Sequence, residues 1–268
     1  MSTLTMSTTK RKPLIERLNV FTAFFFGALF AIVAWRLSLT FLPADSESAP
    51  RFTREDKITL LSMTAWFVGF MFGIGALIGP ARWIMGKDLS HEETMFYAGK
   101  NMGIKRYFRY TTDHKVVGIQ YLVITMVIFG IGGIMAMMIR TNLAHPGGDL
   151  IHPQAYNSLV GTHGILMIVG AIIMVTGPFG NYIMPIMIGA RDMAFPRLNA
   201  LSFWLIVAAA IPLIWGQFIG GISTGWTAYN PLAGQAPLGM NGYIMYICIF
   251  ALSTMVAGAN ITTTVVKM

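Results

Sequence analysis

Residues 116–139 read VVGIQYLVITMVIFGIGGIMAMMI. None of these 24 residues is charged, and only Gln120, Tyr121 and Thr125 bring a polar side chain. As an α-helix the run rises about 36 Å, which exceeds a hydrocarbon core of about 30 Å. It shows no period-two alternation, so a barrel strand is the poorer reading. Lipid offers a backbone no hydrogen bonds, whereas a helix closes its own. Five further runs behave alike, over Leu18–Leu42, Ile58–Met85, Val160–Ile188, Leu201–Gly220 and Tyr243–Val266. The sequence therefore predicts an all-α integral membrane protein, a helical bundle of about six transmembrane helices. No internal repeat is visible.

Composition points the same way. Of 268 residues, 55% are hydrophobic and 11% are charged. The charged share is less than half the roughly 25% of soluble domains, which excludes a soluble globular protein. The 28 glycines suit close helix contacts and the 20 methionines suit gap filling. Those methionines fit beside a bulky bound group and within ordinary packing equally well. The single cysteine, Cys248, excludes an internal disulfide and a cysteine-based metal site. The formal charge of +8 reads first as basic loops on one side of a membrane, with nucleic-acid binding a distant second.

The loops then set an orientation. Lys10, Arg11, Lys12 and Arg17 precede the first run, which is too long for a signal-peptide core and reads as a retained anchor. The next loop sets Asp45, Glu47, Glu55 and Asp56 against Arg51, Arg54 and Lys57, with no basic excess. The long loop after the second run carries Arg82, Lys87, Lys100, Lys105, Arg106, Arg109 and Lys115. Arg191 and Arg197 make a second basic loop, and Gly221–Asn241 has no charge. The positive-inside rule places both ends of the chain, and the loop holding Asp192, on the inner side. Met85–Lys115 has room for a short amphipathic segment at the membrane surface. A composition shift near Lys105 divides an N-terminal part, 1–104, from a motif-dense part, 105–268.

Four groups of polar residues stand out. His163, in Val-Gly-Thr-His-Gly-Ile, falls just inside the outer end of the fourth run. An imidazole there is either an interfacial side chain bonded to a backbone carbonyl or an axial haem ligand. Spacing alone favours the first, although Gly161 and Gly164 would leave room for a flat macrocycle. Asp192 follows the inner end of that run, either paired with Arg191 or Arg197 or collecting protons at an aqueous mouth. Asn181, Asn199, Ser253, Thr254 and Asn260 are uncharged polar groups in or at the inner ends of apolar runs. They either bond across helices or hold a chain of water. Arg140 ends the third run on the outer side, where it snorkels to headgroups or binds a polar ligand substituent. The other histidines, His91, His114, His145 and His152, read as loop residues, none able to add a ligand deep in the membrane. No phosphate loop, HExxH motif or cysteine pair is present.

Longer motifs carry more. Thr112-Asp113-His114-Lys115-Val-Val-Gly118 opens the quoted run, and Arg140 with His145-Pro146-Gly147 closes it. Thr162-His163-Gly164, Gly180-Asn181-Tyr182-Ile-Met-Pro185 and Ile188-Gly189-Ala190-Arg191-Asp192-Met193-Ala194-Phe195-Pro196-Arg197-Leu198-Asn199 follow. Gly225-Trp226-Thr227-Ala228-Tyr229 and Gly258-Ala259-Asn260-Ile261-Thr262-Thr263 complete the order. From about Tyr110 onward the chain resembles the catalytic subunit, subunit I, of haem–copper respiratory oxidases, in the cytochrome c oxidase-like branch.

The resemblance implies a fold and a set of roles. Two extra N-terminal helices would precede the first four helices of the oxidase core. His163 would be one axial ligand of a low-spin haem, read as haem a, and Arg140 would bond that haem's polar substituent. Asp192 would open a D-type proton path, with Asn181, Asn199, Ser253 and Thr254 carrying its water chain, Asn260 nearby and Tyr121 lining it. The high-spin haem, the copper and their ligands would lie outside this chain. Either the chain is a fragment or a second polypeptide completes the subunit, and alone it would be inactive. Expected partners are the rest of subunit I, a copper-bearing electron-entry subunit, cytochrome c and membrane lipid. The expected place is a bacterial or archaeal plasma membrane, or a mitochondrial inner membrane. The whole enzyme would reduce oxygen to water with electrons from cytochrome c and pump protons. A quinol donor and a haem-free scaffold are the alternatives. Two positions depart from the family pattern. Asn142 stands where many members place a glutamate at a cation site, so no such site is expected. Arg191 often gives way to proline, and its charge beside Asp192 should favour the ionised carboxylate.

Overall fold

A computed structural model describes residues 14–43, 53–99 and 102–268. Lys10, Arg11 and Lys12, and most of the acidic loop after the first span, lie outside the described residues. The helices are α1 (Val20–Phe41), α2 (Arg54–Ile74), α3 (Ile78–Ile84), α4 (His91–Ala98), α5 (His114–Ala144), α6 (Pro153–Met174), α7 (Gly180–Met187), α8 (Pro196–Phe218), α9 (Leu232–Gln235) and α10 (Met240–Lys267). A π-helical turn, Val175–Phe179, joins α6 to α7 into one span. Among the described residues six spans are long and apolar enough to cross a membrane, and no strand is present.

Local signals explain the helix ends. Asn19 caps α1, Thr53 and Asp56 form a capping box on α2, and Asp113 caps α5 by accepting from the Lys115 and Val116 N–H groups. Two spans differ from the sequence reading. The second run does not continue to Met85, because Gly75 takes φ +88° and ends α2, leaving α3 as a separate short helix. The fourth span starts with α6 at Pro153, well before Val160, because His152 caps it and Pro153 suits a first helical position. The basic loop contains α4 and a 3₁₀ turn, Gly103–Phe108.

Glycines decide how closely the spans approach. Gly69 and Gly73, four residues apart on α2, lie against the backbone of α1. A Cβ at Gly73 would stand 2.5 Å from the Thr22 carbonyl oxygen, and one at Gly69 would press into the Phe26 carbonyl. Thr22 Oγ1 donates to the Gly73 carbonyl at 2.8 Å across this contact. With no hydrophobic drive between helices in lipid, such backbone approach supplies the packing. Gly69→Leu should therefore split α1 from α2, a loss of about 1–3 kcal/mol or more. Proteolysis and thermal melting of the purified protein measure it, and an unchanged melt would refute the contact.

The hairpin α1–α2 docks on the rest of the bundle through α2. Trp66 Nε1 donates to the Ala208 carbonyl at 3.4 Å, and Asn241 Nδ2 donates to Asp56 Oδ1 at 2.7 Å. Phe70, Trp204, Phe203 and Tyr121 continue the contact as a chain of ring pairs 4.9–6.2 Å apart. Helix α8 is the most enclosed span and α1 the least. Spans alternate in direction, so the starts of α5, α8 and α1 meet the ends of α2, α7 and α10 at one face of the bundle. The basic loop folds over that face. Tyr97 Oη donates to the Gly75 carbonyl, the Thr112 N–H bonds the Tyr97 carbonyl, and Tyr110 Oη bonds the Arg197 carbonyl at 2.7 Å.

Candidate functional site

Two prolines shape the lower part of the fourth span. Pro178 lies in the π turn, where it lacks the N–H that an α-helix needs. The turn brings Gly177 against Tyr121, and a Cβ there would stand 2.7 Å from the ring. Asn181 then turns inward, 2% exposed, and its Nδ2 donates to the Gly177 carbonyl at 2.7 Å. Pro185 acts one turn later. Its missing N–H is the one that would have bonded the Asn181 carbonyl. His114 Nδ1 takes that place at 2.8 Å. His114 is therefore not a loop residue. It is the first residue of α5 and is 5% exposed.

The Asp192 loop is held from α10. Asn260 Oδ1 accepts the Phe195 N–H at 2.8 Å, and Thr264 Oγ1 accepts the Ala194 N–H at 3.0 Å. Asp192 Oδ1 accepts the Met193 N–H at 2.8 Å. The carboxyl lines a polar cleft of about 340 Å³ with Ala98, Thr112, Asp113, His114, Lys115 and Arg191. Burial pushes the Asp192 pKa up. The Met193 N–H and His114 oppose the shift, and Asp113 adds to it. This corrects the expectation that Arg191 favours the ionised form. The Arg191 side chain is exposed, and its charge is spent in water rather than on the carboxylate.

Above the cleft a buried polar column runs between α5, α8 and α10. Tyr121 Oη and Ser202 Oγ are 2.8 Å apart, Ser202 Oγ donates to the Asn199 carbonyl at 2.7 Å, and Ser253 Oγ donates to the Ser202 carbonyl at 2.7 Å. Asn199 and Ser253 are 1% exposed, and Asn260 is fully buried. Asn181 Oδ1, Asn199 Nδ2 and Asn260 Nδ2 have no hydrogen-bond partner among the described residues. Such orphans cost about 1–3 kcal/mol each if dry, and ordered water is the usual remedy. Thr254 does not join this column. One residue on from Ser253, it faces away and its hydroxyl bonds the Ala251 carbonyl of its own helix. Ser202, Thr264 and His114 belong here although the sequence reading missed them. The Asn260/Thr264 pair, four residues apart on an apolar helix, was the available signal.

His163 sits further up. Because α6 starts at Pro153, it lies about 15 Å along the helix rather than just inside its end. Its Nδ1 is 2.9 Å from the Gly132 carbonyl of α5. A carbonyl only accepts, so Nδ1 carries the proton and the neutral ring keeps its lone pair on Nε2. This is the tautomer and orientation that a metal-ligating histidine needs. The residues present thus fit a haem iron. The flanking glycines do not make the room. A Cβ at Gly161 would stand 3.3 Å from the Ile222 carbonyl oxygen and one at Gly164 3.3 Å from Trp226, so both serve the packing of the Gly221–Asn241 loop. Arg140 is exposed, one turn before the end of α5, with no hydrogen bond or ion pair to another described residue. Asn142 latches the following loop, donating to the Gly148 carbonyl at 3.0 Å and accepting the Ile151 N–H at 2.9 Å. Beside it, Gly130, Gly133, Ile134 and Met137 line an apolar recess of about 740 Å³. Among the described residues no group of three or more His, Cys, Asp or Glu side chains gathers to hold a metal ion.

Residues 116–268 match the family described as Cytochrome C and Quinol oxidase polypeptide I. Cytochrome c oxidase subunit 1 of Thermostichus vulcanus is 43% identical over 164 residues, 60% of this chain and 30% of that protein. Cytochrome c oxidase subunit 1 of a Synechocystis species is 42% identical over 163 residues, again 60% and 30%. A Staphylococcus aureus protein named "Probable quinol oxidase subunit 1" is 39% identical over 160 residues, 59% of this chain and 24% of that protein. The chain thus spans less than a third of the length of these relatives. Over the part that holds His163, Asp192 and the polar column, the match covers more than half of the sequence, and the chain belongs to the cytochrome c and quinol oxidase polypeptide I family.

Proposed function

We propose that this chain is the low-spin-haem and proton-uptake part of a proton-pumping terminal oxidase. The observation that carries the reading is His163, held by Gly132 with Nε2 left as the lone-pair nitrogen. His163 would bind the iron of a haem, read as haem a, and Arg140 would offer its guanidinium to the ring's polar substituent. When bound, that haem supplies one-electron transfer, with its potential set by ligand and surroundings. The remaining work belongs to the side chains. Asp192 takes a proton from the cleft, and Asn181, Asn199, Ser202, Tyr121 and Ser253 offer donors and acceptors along the column above it. Asn260 and Thr264 hold the Asp192 loop in place.

In the whole enzyme the electrons would come from cytochrome c and end on oxygen, with the high-spin haem and copper held by residues beyond this chain. Relatives named for both cytochrome c and quinol oxidases match, so a quinol donor is the second reading. Residues 1–104 would be an extension to the family core, with both ends of the chain on the proton-uptake side. The test is a reduced-minus-oxidised spectrum of the purified complex. A low-spin haem band is expected, and Arg140→Ala should move its absorbance or midpoint potential, because a charge-assisted hydrogen bond to the haem's substituent would be lost. No haem band in a folded complex would refute the reading. An unmoved band and potential would leave Arg140 as a headgroup contact.

A further inference from the structure

His114 makes two connections at once. Its ring donates through Nδ1 to the Asn181 carbonyl at 2.8 Å, and the residue lines the same polar cleft as Asp192. Asn181 and Asp192 stand eleven positions apart, on opposite sides of the turn that ends α7. The ring contact exists because Pro185 leaves the Asn181 carbonyl without a helical donor. That carbonyl is buried, and without His114 it would be an orphan.

We infer that His114 is a positioning residue for proton uptake, pinning Asn181 beside the cleft that holds Asp192, and that Pro185 makes it necessary. The inference rests on the reading of Asp192 as the mouth of a proton path. Asn181 is fixed at two points by this arrangement, through its carbonyl to His114 and its Nδ2 to Gly177. Its buried Oδ1 has no partner among the described residues. Without the His114 bond Asn181 keeps only one of these two ties, and the amide drifts from the line a proton follows. Small misplacements of this kind lower rates steeply.

The geometry gives a rescue test that separates positioning from proton carrying. Asparagine places its amide nitrogen where Nδ1 stands, and glutamine places it where Nε2 stands. In Pro185→Ala the restored backbone N–H can itself bond the Asn181 carbonyl. The experiment uses the purified oxidase complex in vesicles, and follows turnover and proton uptake with a pH-indicating dye. The haem spectrum serves as the check on folding. His114→Ala and His114→Gln should each slow uptake on the order of tenfold with the spectrum intact. His114→Asn, and the double variant His114→Ala with Pro185→Ala, should recover most of that loss. Equal loss in the Asn, Gln and Ala variants, with no recovery in the double variant, would overturn the positioning role. So would normal uptake in His114→Ala. Asp192→Asn is run alongside. If it slows uptake while the His114 variants do not, the positioning inference fails and the path stands. If it leaves uptake normal, the path reading fails and takes this inference with it.

Discussion

His163→Ala should abolish the low-spin haem band of the purified complex. The lost Nε2 is the nitrogen proposed to hold the iron. Alanine also removes the hydrogen bond to the Gly132 carbonyl that ties α6 to α5, worth about 0.5–1.5 kcal/mol. A collapsed fold would therefore mimic a lost ligand. His163→Asn separates the two effects. Its amide nitrogen can still donate to Gly132, so the α5–α6 contact survives, yet no imidazole remains for iron. The expected result is a stable complex, with a normal thermal melt, that lacks the band. An unchanged spectrum in His163→Asn would end the ligand assignment and leave His163 as a helix-to-helix hydrogen bond.

Asp192→Asn should slow turnover and proton uptake on the order of ten- to a hundredfold while leaving haem content intact, since a proton-accepting carboxylate is replaced by an amide. Stability should move the other way. The folded-state pKa of Asp192 is raised above the ordinary 3.8 by burial. A raised carboxyl binds its proton more tightly in the folded state than in the unfolded one. Stability therefore falls as pH rises through 3.8 towards the folded pKa, and the penalty stays at higher pH. Asparagine cannot ionise and carries no such penalty. At neutral pH the variant should melt no lower than the native protein, and the gap should close on acidification. Slower uptake with equal or higher stability marks a residue kept for function. Normal turnover and pumping would remove Asp192 from the path, and a lower melting point at neutral pH would contradict the burial argument.

Much of the site was legible beforehand, for reasons that differ by residue. Asn181, Asn199 and Asn260 stood out because amides in apolar runs are rare and must find partners. All three proved almost fully buried, each with an orphan atom. Thr254 was legible as polar but its direction was not, because one residue of helix turns a side chain about 100°. Ser202 was hidden because a serine in an apolar helix is common and usually bonds its own backbone. Gly161 and Gly164 were read as making space, yet a glycine only permits approach and does not say what approaches. Here it is the Gly221–Asn241 loop.

The sequence alone determined the six spans, their helical state and the polar identity of most site residues. Hydrocarbon satisfies no backbone group, so a long uncharged run has one structural outcome, and that outcome depends only on local composition. Pro185 lacks the N–H that would have bonded the Asn181 carbonyl. Which group would fill that gap was decided by tertiary structure, because His114 lies 67 residues away and reaches Asn181 only when α5 packs on α7. The same holds for the clamp of Asn260 and Thr264 on the Asp192 loop, and for the burial that raises the Asp192 pKa. Hydrogen bonds and desolvation act over a few ångströms of space, and chain order sets which groups exist without setting which of them meet.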